Sequence, residues 1–188
     1  MNPFKQIDEP TLLQRIAAGD EKAMQLLYDH YIRYLTAVCS RYVSDDEDVH
    51  DVLQDAFIKV FTAIDTFTYR GEGSLKAWLT RIVLNEAIAF VRRSGRMSYV
   101  ELNDETLNVA DESPNTEGIP ASVLHALIRD LPAGYRTIFN LYVVEEKSHK
   151  EIAQLLGIKE STSASQYHRA KALLAQKIKY YKTLYTVS

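Results

Sequence analysis

Several features that mark particular protein classes are absent or rare in this sequence. Its 188 residues include only 7 glycines and 5 prolines, which argues against a collagen-like chain and against wholesale disorder. No apolar run approaches the roughly 20 residues that span a bilayer. The N-terminal segment MNPFKQIDEP also lacks the apolar core of a secretory signal. We therefore predict a cytoplasmic protein.

The cysteine and histidine residues of the sequence are not arranged as a catalytic or metal site requires. The single cysteine, Cys39, cannot form an internal disulfide, and its apolar helical surroundings indicate a buried thiol. The five histidines show neither metal-ligand spacing nor a paired nucleophile: His30, His50, His125, His149 and His168. No glycine-rich phosphate loop is present. The sequence predicts no catalytic residue, no metal site and no cofactor.

The net charge of −3 is unusual for a nucleic-acid-binding protein, but the charges are strongly segregated. Acidic residues dominate residues 45–55 and 101–117, whereas basic residues dominate 69–97 and 147–182. Two basic stretches that alternate with two acidic ones indicate two surfaces that face DNA and one surface that meets another partner.

Helical spacing of apolar residues dominates the chain, and the alternation typical of strands is almost absent. Between about Met97 and Pro120 this spacing stops, and small polar, acidic and proline residues take over. We predict an all-α fold of two small helical domains, residues 1–96 and 121–188. Residues 97–120 are predicted to form a flexible acidic linker between them.

The first domain is predicted to begin with two helices within residues 12–42, the second of them capped by Asp20. Ser44 and Glu47 have the spacing of a capping box at the start of the next helix. That helix carries one apolar stripe, which is typical of packing against a core: Val49, Val52, Leu53, Ala56, Phe57, Val60, Phe61 and Ile64.

The second domain contains a predicted helix-turn-helix. Ser148 and Glu151 form another capping box, Gly157 permits a sharp turn, and a longer helix is expected to begin near Ser161. Small side chains let that helix enter the major groove, Gln166 can read adenine, and basic residues can grip phosphate. The candidate duplex-binding residues are Lys150, Ser161, Thr162, Ser163, Ser165, Gln166, His168, Arg169 and Lys171. The alternative is an ordinary helical hairpin with a solvated polar face.

A loop in the first domain combines aromatic and basic residues, a combination that suits single-stranded DNA. Bases can stack on aromatic rings while cations meet the phosphates. Tyr69 and Arg70 lie in the loop itself, which favours a functional role for both. The alternative is that Phe67 and Trp78 are core residues, and for Trp78 the core interpretation is favoured because it falls on an apolar face.

Taken in order, these segments resemble the conserved regions of the sigma-70 family. The similar segments are residues 46–49 and 54–57 for region 2.2, residues 67–74, 78–82 and Asn85 for regions 2.3 and 2.4, and residues 131–132, 151–153 and the helix from Ser161 for region 4. The chain length, with a bare linker in place of a middle domain, is similar to the small extracytoplasmic-function (ECF) group.

The resemblance implies a non-enzymatic subunit that binds core RNA polymerase, directs it to promoters and helps to melt the minus-ten element. Region 2.2 of the family binds the clamp helices of the largest polymerase subunit, a role carried here to Asp48, Asp51, Gln54 and Asp55. Regions 2.3 and 2.4 of the family capture an unstacked base of the minus-ten element. The resemblance therefore assigns contacts with that element to Phe67, Tyr69, Arg70, Ser74, Lys76, Arg81, Asn85, Arg92 and Arg93. Region 4 reads the minus-thirty-five element as duplex, through the helix-turn-helix residues named above.

The resemblance also implies further partners. The family suggests an anti-sigma factor, often bound to a membrane, and no small-molecule substrate. In relatives the linker threads near the polymerase active site, and we expect this role for Asp104, Glu105, Asp111 and Glu112.

The resemblance is incomplete, and two other functions stay open. Many relatives carry valine, lysine and arginine where this chain has Ser163, Ala164 and Gln166, so the promoter sequence is not predicted. One alternative is a helix-turn-helix transcriptional regulator that does not bind polymerase as a sigma subunit. The other is a helical adaptor that binds only proteins.

Overall fold

The computed structural model describes residues 8–95 and 114–185. All regular elements in those ranges are helices, which confirms the all-α prediction: α1 (Glu9–Ala17), α2 (Glu21–Cys39), α3 (Asp46–Ala63), a 3-10 helix (Ile64–Thr66), α4 (Ser74–Arg93), α5 (Ala121–Arg129), α6 (Ala133–Val143), α7 (His149–Leu156) and α8 (Glu160–Tyr185).

The chain divides into two compact units, Met1–Phe90 and Val91–Ser188, and the division falls near the end of α4. Most of the predicted linker, including its four candidate acidic residues, lies outside the described residues. Its flexibility and the boundaries at residues 96 and 121 therefore stay predictions.

Aspartate side chains fix where the helices of the first unit begin. Asp20 accepts hydrogen bonds from the amides two and three residues later, at 2.9 and 3.2 Å, which confirms it as the N-cap of α2. Asp45 caps α3 in the same way, at 3.0 and 3.1 Å. The predicted capping box of Ser44 and Glu47 is therefore wrong, because Asp45 supplies the cap and α3 begins one residue later.

The apolar stripe predicted on α3 is the face that the first unit buries. All its members are buried except Phe61, which is half-buried. The ring of Phe57 packs against Tyr28 of α2 with 4.7 Å between centroids. Cys39, at the end of α2, is buried as expected, and burial raises the pKa of its thiol to about 12. The thiol is therefore protonated at neutral pH.

The second unit is built around α8. Its core consists of Leu131, Tyr135, Phe139, Ala170, Leu174 and Ile178. The buried Arg136 donates from Nη1 to the carbonyl oxygens of Arg129 and Leu131, at the end of α5. One of these bonds gives the last carbonyl of α5 a partner that the helix itself cannot provide, and the other satisfies a carbonyl just beyond the helix.

Membrane-spanning and metal-binding features are missing from residues 8–95 and 114–185. No helix there has both the length and the apolar character needed to cross a bilayer. No group of three or more His, Cys, Asp or Glu in the same ranges could hold a metal ion. His50 and Asp51 lie 3.9 Å apart with side chains 76% and 77% exposed, so they form part of a solvated helix face.

Candidate nucleic-acid interface

The loop of residues 67–73, between the 3-10 helix and α4, is closed by the first residue of α4. Ser74 Oγ donates to the carbonyl of Gly71 at 2.6 Å and accepts from the amide of Arg70 at 3.2 Å. Gly71 (φ 105°) and Gly73 (φ 83°) adopt backbone conformations that other residues rarely reach. The loop is thus a preformed turn whose shape depends on the Ser74 hydroxyl.

An open pocket of about 490 Å³ lies between this loop and α4. The rings of Phe67 and Trp78 form its aromatic wall, with centroids 4.9 Å apart and both side chains half-buried. The pocket is lined by Thr66, Phe67, Thr68, Arg70, Ser74, Ala77, Trp78 and Arg81. An aromatic wall beside two guanidinium groups can hold an unstacked base and its phosphate. Trp78 therefore packs on the loop and also borders the open pocket.

Tyr69 does not line that pocket and has an acidic environment instead. Its side chain is 37% exposed, and burial, then Glu9, Glu72 and Asp8, raise the pKa of its hydroxyl. Glu9 also accepts a hydrogen bond from the Tyr31 hydroxyl at 3.1 Å. The phenol of Tyr69 therefore stays protonated at neutral pH and can donate a hydrogen bond.

The polar residues of α4 do not share one face. Ser74, Trp78, Arg81 and Asn85 recur at intervals of three and four residues, so they line the side of α4 that borders the pocket. Lys76 projects elsewhere, and its ammonium group lies 4.1 Å from the centre of the Tyr34 ring. Arg92 and Arg93 are exposed in the last turn of α4. The structure therefore brings Arg81 and Asn85 to the pocket side and leaves Lys76 away from it.

An exposed polar surface runs along α3. Asp51, Gln54 and Asp55 are exposed and Asp48 is half-buried. Sequence reasoning missed Ile58, which lies on the same side of the helix with 60% of its surface exposed. An apolar groove of about 510 Å³ adjoins this surface and is lined by Tyr28, Ile32, Thr36, Asp46, His50, Leu53, Gln54, Phe57, Ile58 and Phe61.

The helix-turn-helix in the second unit forms as the sequence predicts. Ser148 and Glu151 make the reciprocal bonds of a capping box: the Ser148 amide donates to the Glu151 carboxylate at 2.8 Å, and the Glu151 amide donates to Ser148 Oγ at 3.3 Å. The Ser148 hydroxyl also donates to that carboxylate at 2.7 Å, and this bond, followed by the one from the Ser148 amide, lowers the pKa of the Glu151 carboxyl. Gly157 ends α7 in the left-handed conformation, with φ 68°. The longer helix, α8, begins at Glu160, one residue before the expected start.

Seven of the nine predicted duplex-binding residues keep at least partial exposure. Ser161, Ser165 and His168 are exposed and recur at intervals of four and three residues, so they share one face of α8. Arg169 adjoins that face, half-buried. Thr162 and Lys171 are also half-buried, and Lys150 is exposed at the start of α7. The front of α8 thus presents short side chains followed by a basic one.

Ser163 and Gln166 require a correction, because neither side chain faces outward. Ser163 is 0% exposed and Gln166 is 3% exposed. Both continue the buried stripe of α8 that includes Ala170 and Leu174, at intervals of three and four residues. The sequence contains that spacing, but the polar character of the two side chains led to the prediction that they are exposed. Gln166 is thus not placed to read adenine.

Sequence reasoning also missed a ring cluster behind the front of α8. The His149 ring stacks on Tyr142 with 4.6 Å between centroids, and Tyr167 lies 4.3 Å from Tyr142. Burial, then the charge of His168, lowers the pKa of the His149 imidazole, while Glu160 opposes the shift. His149 therefore belongs to the packing of the helix-turn-helix and is neutral at pH 7.

Comparison with known proteins supplies the family. The model of Sigma-70 region 2 matches residues 27–97, and that of Sigma-70, region 4 matches residues 122–174. The ECF RNA polymerase sigma-E factor of Escherichia coli (strain K12) is 31% identical over 93% of this chain and 96% of its own length. That of Haemophilus influenzae (strain ATCC 51907 / DSM 11121 / KW20 / Rd) is 29% identical, over 93% and 97%.

Two solved structures are also similar. One is CnrH in complex with the cytosolic domain of CnrY, with 25% identity, TM-score 0.46 and coverage of 90% of this chain and 96% of that one. The other is the sigma factor RpoE of Bartonella quintana in complex with the anti-sigma factor NepR, with 23% identity, TM-score 0.48 and coverage of 85% and 98%.

Two family models in sequential order, on two helical units, define a sigma-70 family protein. The chain belongs to that family, and within it to the ECF RNA polymerase sigma factors. It is a non-enzymatic subunit that binds core RNA polymerase, directs it to specific promoters and helps to melt the minus-ten element. The alternative of a regulator that does not act as a sigma subunit is not supported by these matches.

Proposed function

We propose that the two helical domains divide the promoter between them. Residues 1–96 contact the minus-ten element and core polymerase, residues 121–188 contact the minus-thirty-five element, and residues 97–120 connect them. The observation that carries this proposal is the open pocket beside Phe67 and Trp78, with guanidinium groups at its border. Such a pocket suits a single-stranded base rather than a paired one.

The pocket would act during melting. Unstacking a base costs a few kcal/mol, which stacking on Phe67 and ionic contacts with Arg70 and Arg81 would offset. Ser74 would act through the loop shape that its hydroxyl holds, and Tyr69 as a hydrogen-bond donor beside it. Asn85, Arg92 and Arg93 would continue the contact with DNA along α4. Lys76 is omitted from this set, because its ammonium group lies over Tyr34.

The α3 surface is proposed to bind core polymerase. Asp48, Asp51, Gln54 and Asp55 supply acidic and polar groups for a basic partner, and Ile58 supplies an apolar centre. An apolar centre surrounded by polar groups is the usual organisation of a protein interface.

While polymerase is not bound, the apolar part of this surface would be exposed to solvent unless another protein bound it. An exposed apolar groove is a typical protein-binding feature, and we propose that an anti-sigma factor occupies the groove beside Ile58. We propose that the protein acts in the cytoplasm, where it would meet core polymerase and promoter DNA. The linker acids Asp104, Glu105, Asp111 and Glu112 are proposed to lie near the polymerase active site.

The front of α8 is proposed to enter the major groove at the minus-thirty-five element. Ser161, Thr162, Ser165 and His168 would meet base edges, and Arg169, Lys150 and Lys171 would meet phosphates. Ser163 and Gln166 are excluded from base contact by their burial.

Run-off transcription with host core polymerase on host genomic DNA tests the proposal. The purified chain is expected to produce defined start sites that core polymerase alone does not produce. The double variant Asp51→Ala/Asp55→Ala should lose core binding, while the control Asp29→Ala, on α2, should retain it. Start sites that do not depend on the added chain would refute the proposal.

A further inference from the structure

His149, the first residue of α7, lies where three helices of the second unit meet. Its Nδ1 atom is 3.0 Å from Ser163 Oγ, in the first turn of α8. Its ring stacks on Tyr142 of α6, with an angle of 17° between the two planes. The ring of Tyr167, on α8, also lies close, with 5.7 Å between its centroid and that of the His149 ring. A single imidazole therefore connects α7 to both α6 and α8.

The hydrogen bond between His149 and Ser163 crosses the turn of the helix-turn-helix. Ser163 is fully buried, so its hydroxyl requires a partner inside the protein. His149 offers one from the other side of Gly157. With the imidazole proton on Nε2, the hydroxyl donates to Nδ1. The bond ties the first turn of α8 to the first turn of α7 and so constrains the angle between these helices.

That angle determines where the outward side chains of α8 lie. Ser161 and Ser165 have short side chains with one rotatable bond before the hydroxyl. They cannot compensate for a displaced backbone as a lysine or arginine could. Recognition groups have to be held within about 0.5 Å of the productive geometry. A front surface made of serines therefore demands a rigid helix position.

We propose that His149 is a positioning residue for minus-thirty-five recognition, which acts by holding Ser163, and with it the front of α8, at a fixed angle to α7. The inference rests on the proposed role of α8 in duplex recognition. It assigns no DNA contact to His149 itself. The functional element is the hydrogen bond, and the stacked rings around it limit movement of the imidazole.

The two properties of the imidazole can be separated by substitution. His149→Phe keeps a ring that stacks on Tyr142 and removes the hydrogen bond. His149→Asn keeps a polar atom near the place of Nδ1 and removes the stacked ring. Ser163→Ala removes the other end of the bond and leaves His149 intact. His125→Phe, on the exposed side of α5, is the matched control for a histidine-to-phenylalanine change.

Each variant is made in the full chain and assembled with core polymerase. The probe is a duplex selected from a random-sequence library by the unaltered holoenzyme. Its Kd is measured at one salt concentration and at a temperature where circular dichroism shows every variant folded. His149→Phe and Ser163→Ala are each expected to weaken duplex binding about fivefold to tenfold, the effect of one lost hydrogen bond. The double variant should bind no more weakly than either single one.

His149→Asn is expected to bind within about threefold of the unaltered chain, a recovery that ring packing alone would not give. His125→Phe and all core-binding affinities should be unchanged. Unaltered duplex binding by His149→Phe, or losses that multiply in the double variant, would overturn the positioning role. If His149→Phe fails to fold, Ser163→Ala decides the question, because it only removes an atom. A library from which no duplex is enriched would overturn the proposed duplex recognition as well.

Discussion

Lys59 Nζ lies 2.7 Å from Glu86 Oε1, and this ion pair joins α3 to α4. The lysine side chain is 58% exposed, whereas only 10% of the glutamate side chain is accessible. The pair lies on a different side of α4 from Arg81 and Asn85. It therefore contributes to the packing of the first unit and does not occupy the side of α4 that borders the pocket.

Lys59→Ala is expected to lower the free energy of unfolding by about 1–2 kcal/mol, because Glu86 then carries a nearly buried charge without its cation. Urea unfolding at pH 7.5 measures this loss. The double variant Lys59→Met/Glu86→Met should recover most of it, since both charges are removed. A destabilisation that the second substitution does not relieve would show that the pairing is not responsible.

Arg81 and Lys76 provide a matched comparison of two bases on one helix. For promoter binding, the slope of log K against log salt concentration depends on the number of phosphate contacts. Arg81→Ala should reduce the magnitude of this slope by the contribution of about one such contact. Lys76→Ala should leave the slope unchanged, because its ammonium group lies over the Tyr34 ring. Titration of holoenzyme with promoter DNA from 50 to about 200 mM salt separates the two. Equal slopes for both variants would contradict the assignment of the pocket side.

Phe67→Ala is expected to slow promoter opening, because the unstacked base loses the ring on which it stacks. The loss should be about 1–3 kcal/mol of open-complex stability, the usual contribution of one base on an aromatic side chain. Permanganate footprinting on duplex promoter measures the melted fraction. A template that is already unpaired at the minus-ten element should recover much of the activity, while Tyr180→Ala serves as an exposed aromatic control on α8. Normal melting by Phe67→Ala would exclude the stacking role.

Gln166→Met should stabilise the second unit. Gln166 Oε1 is buried and finds no hydrogen-bond partner among the described residues. Methionine has a similar shape and removes that unpaired group, which is expected to raise the free energy of unfolding by about 1 kcal/mol. The start sites found by run-off transcription should stay the same. A changed set of start sites would indicate that Gln166 reaches DNA after all.

The pKa of His149 predicts a pH effect on stability. Burial, then His168, holds the pKa of the folded imidazole below its ordinary value of 6.5, against the opposing charge of Glu160. Below pH 6.5 the unfolded chain therefore binds more protons than the folded one. The free energy of unfolding falls as the pH drops from 6.5 through the folded pKa.

NMR titration of the histidine ring protons, assigned with His149→Asn, should place the His149 midpoint below 6.5. The same variant should lose part of the acid destabilisation. Some of it would remain, because burial also lowers the pKa of His30 in the first unit. A His149 midpoint at or above 6.5 would contradict the inferred environment.

Local signals predicted much of this fold. The stripe of α3, the Asp20 cap and the capping box of Ser148 involve residues within one or two turns of each other, so spacing alone reveals them. Spacing alone could not decide between Ser44 and Asp45 as the cap, because both residue types are favoured at the N-cap of a helix. The carboxylate accepts two amide hydrogen bonds at the positive end of the helix.

Contacts between distant residues could not be predicted in this way. The position of Lys76 depends on Tyr34, which is 42 residues away, and only packing of α2 beside α4 brings them together. The burial of Ser163 depends in the same way on His149, from the preceding helix. From the sequence alone, a polar side chain is predicted to be exposed, because its hydrogen-bond partner inside the protein is not known. The sequence therefore indicates which helices and loops carry the candidate residues, but it does not show which of their side chains face outward.

The 26 residues of α8 form one helix that has a buried stripe and an exposed side. Its inward residues, from Ser163 to Ile178, hold the second unit together, whereas Ser161 and Ser165 lie outside that packing. Selection can thus exchange the outward serines with little penalty to folding. Under the recognition proposed for the front of α8, a gene duplicate would acquire a separate set of promoters through a few such exchanges, and paralogues in one cell would diverge until they no longer compete for the same targets.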